Sequence, residues 1–378
     1  MIYLDNAATT GKKPLSVVKA VEGALIDLSA NPGRSGHTPS VRAAEAVYNA
    51  RKKLSSMFGN SVEENVIFTP SCTGAINFVI KGVLKRGDGI VLSSMEHNAV
   101  TRPSVTVNSL GCPLKVAEVI FGDSDATFRS FERTIEKDTR LVICTHASNV
   151  TGEIMPIKKI GELCKEKGIM FLVDGAQTAG VLPIDLNDMN IDFLCIAPHK
   201  GLYAPMGIGV LIANKMVNNP LIEGGTGGNS LSLRQPEEYP ERLESGTLNL
   251  PGIMGISAGV DFVNKKGIDN LYSAELKLIQ ILYSKLEKKR GVILYSPYPQ
   301  REKFVPVLSF NIVGKNSVEV AERLNNMGIA VRGGLHCAPL AHKRLGTIDT
   351  GTVRVSVSAF NTSKDIDIFL WAIDRILN

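Results

Sequence analysis

From about residue 14 to residue 215 the chain alternates between two hydrophobic rhythms. Seven short apolar runs rich in Val and Ile read as strands covered on both faces. They are NVIFT (65–69), GIVLSS (89–94), LKVAEVI (114–120), RLVICTH (140–146), IMFLVD (169–174), DFLCIA (192–197) and GIGVLIA (207–213). Helical segments fall between them, such as PIKKIGELCKEKG (156–168), which opens on Pro and closes on Gly as helices often do. The alternation predicts an α/β fold with a mostly parallel seven-stranded sheet and helices on both faces. The binding crevice of such a sheet lies beyond the carboxyl ends of its strands.

Residues 223–250 break the rhythm, and a stretch of that length without periodicity predicts a functional loop or an inter-subunit segment. A long helix follows over 268–290, with Leu271, Leu278, Leu282 and Leu286 marking one face. The remaining pattern mixes strands (VPVLSFNIV, TVRVSVS) with helices over 317–328 and 364–377, which predicts a smaller α+β C-terminal domain. The domain division is then 14–250 for the large domain, with 1–13 and 251–378 forming the small one.

Composition narrows the classes. The 378 residues are enough for roughly two domains with a sizeable core. The net charge of +5 is spread along the chain with no basic cluster, so no nucleic-acid partner is expected. No apolar run approaches the ~18 residues of a membrane span, and MIYLDNAATT has none of the features of a secretion signal. The cysteines, at 72, 112, 144, 164, 195 and 337, form no C-x-x-C pair, so no metal site is expected and a reducing cytoplasm is the natural compartment.

Two strand ends carry chemistry. FLVDGAQ places Asp174 where a buried strand stops, with Gln177 just beyond, and CIAPHKG places His199 and Lys200 at the end of the next strand. An acid and a lysine facing one crevice suit pyridoxal 5'-phosphate, which attaches through a lysine and pairs its ring nitrogen with a carboxylate. FTPSCTGAIN (68–77) offers a phosphate cradle, with Ser71, Cys72 and Thr73 opening a helix whose N–H groups are free. There is no G-x-x-x-x-G-K-[ST], and GGTGGNS lacks the G-x-G-x-x-G spacing, so nucleotide fingerprints are absent.

Eight segments in order, YLDNAATT, SMEHNAV, THASNVTGE, VDGAQ, PHKGLYAPMGIG, ESGTLN, VRGGLHCAP and VRVSVSAFNT, resemble the class V aminotransferase branch of fold-type I pyridoxal-phosphate transferases. Within it the chain is similar to the cysteine desulfurases and selenocysteine lyases. The resemblance implies that Lys200 carries the cofactor, Asp174 pairs with its ring nitrogen, Gln177 contacts its ring hydroxyl, and His97 stacks on the ring and, as a catalytic residue, shuttles protons. Asn149 would hold the substrate or the ring side. Cys72, Thr73 and His199 would face the phosphate, joined by Thr247 of a neighbouring subunit, which implies a homodimer. Arg354 would take the substrate carboxylate, with Arg332 also among the substrate-binding residues. The chain departs from the pattern at Ala197, where a serine is usual, and at Cys72, where a threonine is common.

Arg332, Gly334 and Cys337 match the R-x-G-x-x-C run of one desulfurase branch, which makes Cys337 the persulfide-carrying nucleophile, with Arg332 and His336 as a cationic neighbourhood favouring thiolate. The residues alone also admit a metal ligand, a Cys–His hydrolase or a buried thiol. The expected reaction is L-cysteine to L-alanine, with the sulfur passed to an acceptor protein. L-selenocysteine is the rival substrate; a class V aminotransferase and a non-catalytic pyridoxal-phosphate-binding regulator are the other readings.

Overall fold

The computed structural model describes residues 1–228 and 230–377; Asn229, inside the expected 223–250 loop, lies outside the described residues. All seven expected strands form and join one sheet. Across it they run Val66–Thr69, Gly209–Ala213, Phe193–Ile196, Met170–Asp174, Thr139–Thr145, Gly89–Ser93 and Leu114–Ala117. Gly209–Ala213 runs antiparallel to both its neighbours and the other six share one direction. The carboxyl ends of those six strands, and the start of the seventh, therefore meet at one edge.

Six of the apolar runs become strands because both faces are sealed; the seventh, Leu114–Ala117, is an edge strand that leaves Lys115 and Val116 exposed. Phe171 and Val173 face one core, with Val142 and Cys144; Leu172 faces the other, with Leu141 and Ile143. The helix expected over 156–168 spans Ile157–Lys167 and stops where Gly168, at φ 65°, turns left-handed and returns its N–H to Cys164 and Lys165 carbonyls. Lys165 and Lys167 in its last turn suit the negative end of the helix dipole.

Residues 251–266, expected with the small domain, pack with the large sheet. The helix Leu250–Lys266 lies against the helices Leu15–Asp27 and Thr38–Met57, and its Ile253, Ile256, Val260 and Val263 join the same core cluster. Their apolar spacing reads equally well in either domain, and only the tertiary contact assigns it. The next helix, Ile268–Leu286, ends earlier than the 268–290 expected.

The small domain is an antiparallel sheet in the order Arg332–Gly334, Thr352–Ser356, Val307–Ile312, Val292–Leu294. Its core includes side chains of the helices Ile268–Leu286, Ser317–Asn326 and Ser363–Leu377. Ile2–Tyr3 pairs with Ile329–Ala330, and Leu4 joins the core of this sheet.

No helix or strand forms among the described residues of 223–249. The segment is tied down by Glu244, whose buried carboxylate pairs with Arg51 and accepts the Phe68 N–H. Among the described residues no helix is long and apolar enough to cross a membrane.

Candidate active site

The large-domain half of the site sits on strand ends. Asp174 closes its strand and is 4% exposed. Its Oδ1 accepts the Ala176 N–H at 3.0 Å and faces Cys72 Sγ at 3.7 Å. Lys200 follows the next strand in a turn closed by its own N–H on the Ala197 carbonyl. Burial pushes the Lys200 pKa down, against the opposing pull of Asp174. The structure thus brings together the acid and the lysine that the strand-end argument placed at one edge.

His97 caps the helix Asn98–Ser109, its Nδ1 accepting the Ala99 N–H at 3.0 Å. That bond places the proton of the neutral ring on Nε2, and burial, the largest influence, holds the pKa below its ordinary value. Gln177 donates Nε2 to the Ala7 carbonyl at 3.1 Å. Ser71 caps the helix Cys72–Val83 through the Gly74 N–H. Gly209 lets its strand start lie against this helix end, since a Cβ there would sit 2.2 Å from the Ser71 carbonyl carbon.

Thr73 is exposed at the first turn of the same helix, a position suited to an anion. Cys72, grouped with it as a phosphate contact, instead turns its thiol to Asp174, and burial and that carboxylate push the thiol pKa well up. The carbonyl of His199 accepts from the Thr10 N–H, the Thr9 and Thr10 hydroxyls and Lys13 Nζ. Its ring Nδ1 is buried without a partner among the described residues, and burial lowers its pKa to about 4. Thr247 is exposed in the 223–250 segment, with no hydrogen bond to these groups among the described residues.

The small-domain half presents cations. Arg332 and Arg354 face each other across neighbouring antiparallel strands, an arrangement that like charges disfavour without an anion to share. Arg354 is 1% exposed; it donates Nη2 to Asp5 Oδ1 at 2.7 Å and Nη1 to the Asn149 carbonyl at 3.0 Å, while its Nε is buried without a partner among the described residues. Arg332 donates Nη2 to Cys337 Sγ at 3.5 Å.

Cys337 sits on a turn in which His336, at φ 49°, and Cys337, at φ 57°, are both left-handed. The large domain pins this turn. Asn98 N–H donates to the Cys337 carbonyl at 2.7 Å, and Asn149 Nδ2 donates to the His336 carbonyl at 2.8 Å. Expected as a cation, His336 is buried and neutral, with its Nε2 3.0 Å from the Thr352 carbonyl and its pKa driven down to about 2 by burial and then Arg354. Arg332, not His336, supplies the charge in contact with the thiol, and Arg354 also acts on it. Among the described residues no three metal-binding side chains are grouped to hold an ion.

Four contributors escaped motif reading at the level of individual roles. Asp5 clamps Arg354, Ala7 anchors Gln177, Lys13 braces His199, and the Asn98 backbone holds Cys337. The signal for Asp5 and Lys13 is the polar run after the first strand, YLDNAATTGKK, whereas Ala7, like Asn98, acts through its backbone. A backbone donor has no sequence signal.

The residues suit pyridoxal phosphate. Asp174 Oδ2 accepts no hydrogen bond among the described residues, Lys200 shares its crevice, and the helix start at Cys72 and the His199 ring, whose Nδ1 has no partner among the described residues, lie at the same edge. The Aminotransferase class-V family model matches residues 2–369. A probable cysteine desulfurase of Methanothermobacter thermautotrophicus is 33% identical over 99% of this chain and 94% of its own length, and one of Halalkalibacterium halodurans is 33% identical over 99% and 93%. Among solved structures, the apo cysteine desulfurase of Thermococcus onnurineus superposes with a TM-score of 0.91 at 32% identity, covering 100% of this chain and 94% of that one. The Escherichia coli cysteine desulfurase CsdA (S-sulfonic acid) gives 0.87 at 29%, covering 99% and 94%. With its seven-stranded sheet, its strand-end acid and lysine, and a family match along nearly its whole length, the chain belongs to the class-V aminotransferase family of fold-type I enzymes.

Proposed function

We propose that this protein is a pyridoxal-phosphate-dependent cysteine desulfurase that converts L-cysteine to L-alanine and carries the sulfur as a persulfide on Cys337. The observation that carries the reading is the Arg332 guanidinium 3.5 Å from Cys337 Sγ, one strand away from the buried Arg354. The pair of cations matches a substrate carboxylate and a thiolate. The relatives and solved structures named as cysteine desulfurases support the same reaction. No observation favours the selenocysteine, aminotransferase or regulator readings.

Lys200 and Asp174 would hold the cofactor, with Gln177 and His97 about the ring and Thr73, His199 and the partner's Thr247 about the phosphate. Pyridoxal phosphate, when bound, supplies the sink for the electron pair left on the substrate α-carbon. Arg354 orients the substrate by its carboxylate, with Asp5 and the Asn149 carbonyl fixing the guanidinium plane. Lys200 Nζ, whose ammonium form burial disfavours, takes the α-proton. His97 Nε2–H is the adjacent proton donor. Cys337 Sγ, as thiolate, forms a bond to the substrate sulfur while the C–S bond breaks toward carbon, which is then protonated to alanine.

The turn bearing Cys337 is pinned to the large domain, so the acceptor thiol is brought to it by a separate protein. Leu231 and Leu233, which are fully or nearly fully exposed beside Thr247's segment, support that segment as the homodimer contact. The six cysteines are all free thiols, consistent with a reducing cytoplasm.

The test is Cys337→Ser. It is expected to keep the bound cofactor's absorbance and to lose both persulfide and alanine formation from L-cysteine. Undiminished alanine release by this variant refutes the role of Cys337.

A further inference from the structure

We propose that Cys72 is a positioning residue for Asp174: its thiol holds one oxygen of the carboxylate and leaves the other directed at the ring nitrogen of pyridoxal phosphate. The inference rests on the cofactor reading above and deepens it.

Asp174 Oδ1 lies between two donors, the Ala176 N–H at 3.0 Å and the Cys72 thiol at 3.7 Å, while Oδ2 accepts no hydrogen bond among the described residues. One donor fixes a carboxylate oxygen in place. A second, from a different element, fixes the rotation of the carboxylate plane. Cys72 is delivered for this by the helix Cys72–Val83, whose start is set by the Ser71 cap and by the close approach of Gly209.

The thiol suits its surroundings. Cys72 packs partly against the apolar cluster that contains Cys195 and Leu211, where a small, weakly polar donor is tolerated. Burial and the neighbouring carboxylate push its ionisation well up, so it keeps its proton and remains a donor across the working pH range. The residue that stands where threonine is common in the family therefore acts on the acid rather than on the phosphate.

The test compares Cys72→Thr with Cys72→Val, which have the same branched shape and differ in the donor. Both are read by the affinity of the apoprotein for pyridoxal phosphate and by the pH titration of the bound cofactor's absorbance. Cys72→Thr is expected to behave as the parent. Cys72→Val is expected to bind about three- to tenfold more weakly, the loss of one hydrogen bond, with the absorbance midpoint displaced. Equal behaviour of the two variants in a protein that binds the cofactor overturns this proposal alone. Failure of the parent to bind the cofactor overturns the cofactor reading and this one with it.

A second measurement needs no cofactor. In apoprotein carrying Cys337→Ser, the pH dependence of Cys72 alkylation by iodoacetamide is expected to move to lower pH when Asp174→Asn is added. An unmoved profile overturns the contact between the two side chains.

Discussion

The two halves of the site are held in place by different physics. Asp174 and Lys200 stand at the ends of neighbouring strands in a sheet sealed on both faces, where backbone pairing such as Thr145 with Asp174 and Asp174 with Cys195 leaves little freedom. Cys337 stands on a left-handed turn beyond a three-residue strand, and its carbonyl and that of His336 are held from the other domain. Holding His336 and Cys337 left-handed costs of order 1–3 kcal/mol each, so surrounding contacts must maintain the turn. The groups proposed to hold the cofactor thus belong to the large-domain fold, whereas the aim of the proposed nucleophile is set by how the two domains meet.

The largest effect separates the halves outright. Lys200→Ala is expected to lose covalent attachment of the cofactor, with turnover down by about 10²–10⁴-fold or more. Cys337→Ser is expected to lose persulfide formation with the cofactor still attached. Absorbance of the bound cofactor and alanine release, measured on both variants, check this. If Cys337→Ser also strips the cofactor, the halves are not independent and the comparison fails.

The same division explains what was legible in the sequence. Six of the seven strands could be read because burial on both faces writes itself as apolar runs rich in Val and Ile, the edge strand Leu114–Ala117 being half exposed, and Asp174 and Lys200 stood out as polar interruptions at or just beyond the strand ends. Cys337 and Arg332 were legible through the spacing of a family run. The charge state of His336 was not, because it depends on the Thr352 strand and on burial that no local pattern records. Nor was the place of Ile253, Ile256 and Val260, whose apolar face fits the core of either domain until the helices at 15–27 and 38–57 claim it.

Next in size is the pH dependence of stability, which samples both halves. Burial holds His146, His199 and His342 at about 4 and His336 at about 2, all below their ordinary 6.5. A histidine held neutral contributes stability that is complete above pH 6.5 and is lost as pH falls toward the folded value. Glu96 and Glu275, raised by burial from 4.5 to about 8, act in the opposite sense: their contribution is complete below pH 4.5 and lost as pH rises toward 8. Each group can contribute a slope of up to about 1.4 kcal/mol per pH unit within its window. The urea midpoint from pH 4 to 9 is expected to fall at both ends, and Glu275→Gln to flatten the alkaline side. An unchanged alkaline slope in that variant removes Glu275 from this account.

The smallest effect isolates the pinning of the nucleophile. Asn98 begins its helix, where the N–H is not needed within the helix and proline is tolerated. The preceding His97 is already extended, at φ −72° and ψ 156°, as a residue before proline prefers. Asn98→Pro therefore removes the 2.7 Å bond to the Cys337 carbonyl with little cost to the helix. One hydrogen bond of about 0.5–1.5 kcal/mol corresponds to roughly a three- to tenfold slower persulfide formation, with cofactor binding unchanged. Single-turnover formation of persulfide, measured beside cofactor affinity, reads the two halves separately. Equal losses in both would show that the Asn98 bond supports the site as a whole, and the aim of Cys337 would then rest on Asn149 and the turn itself.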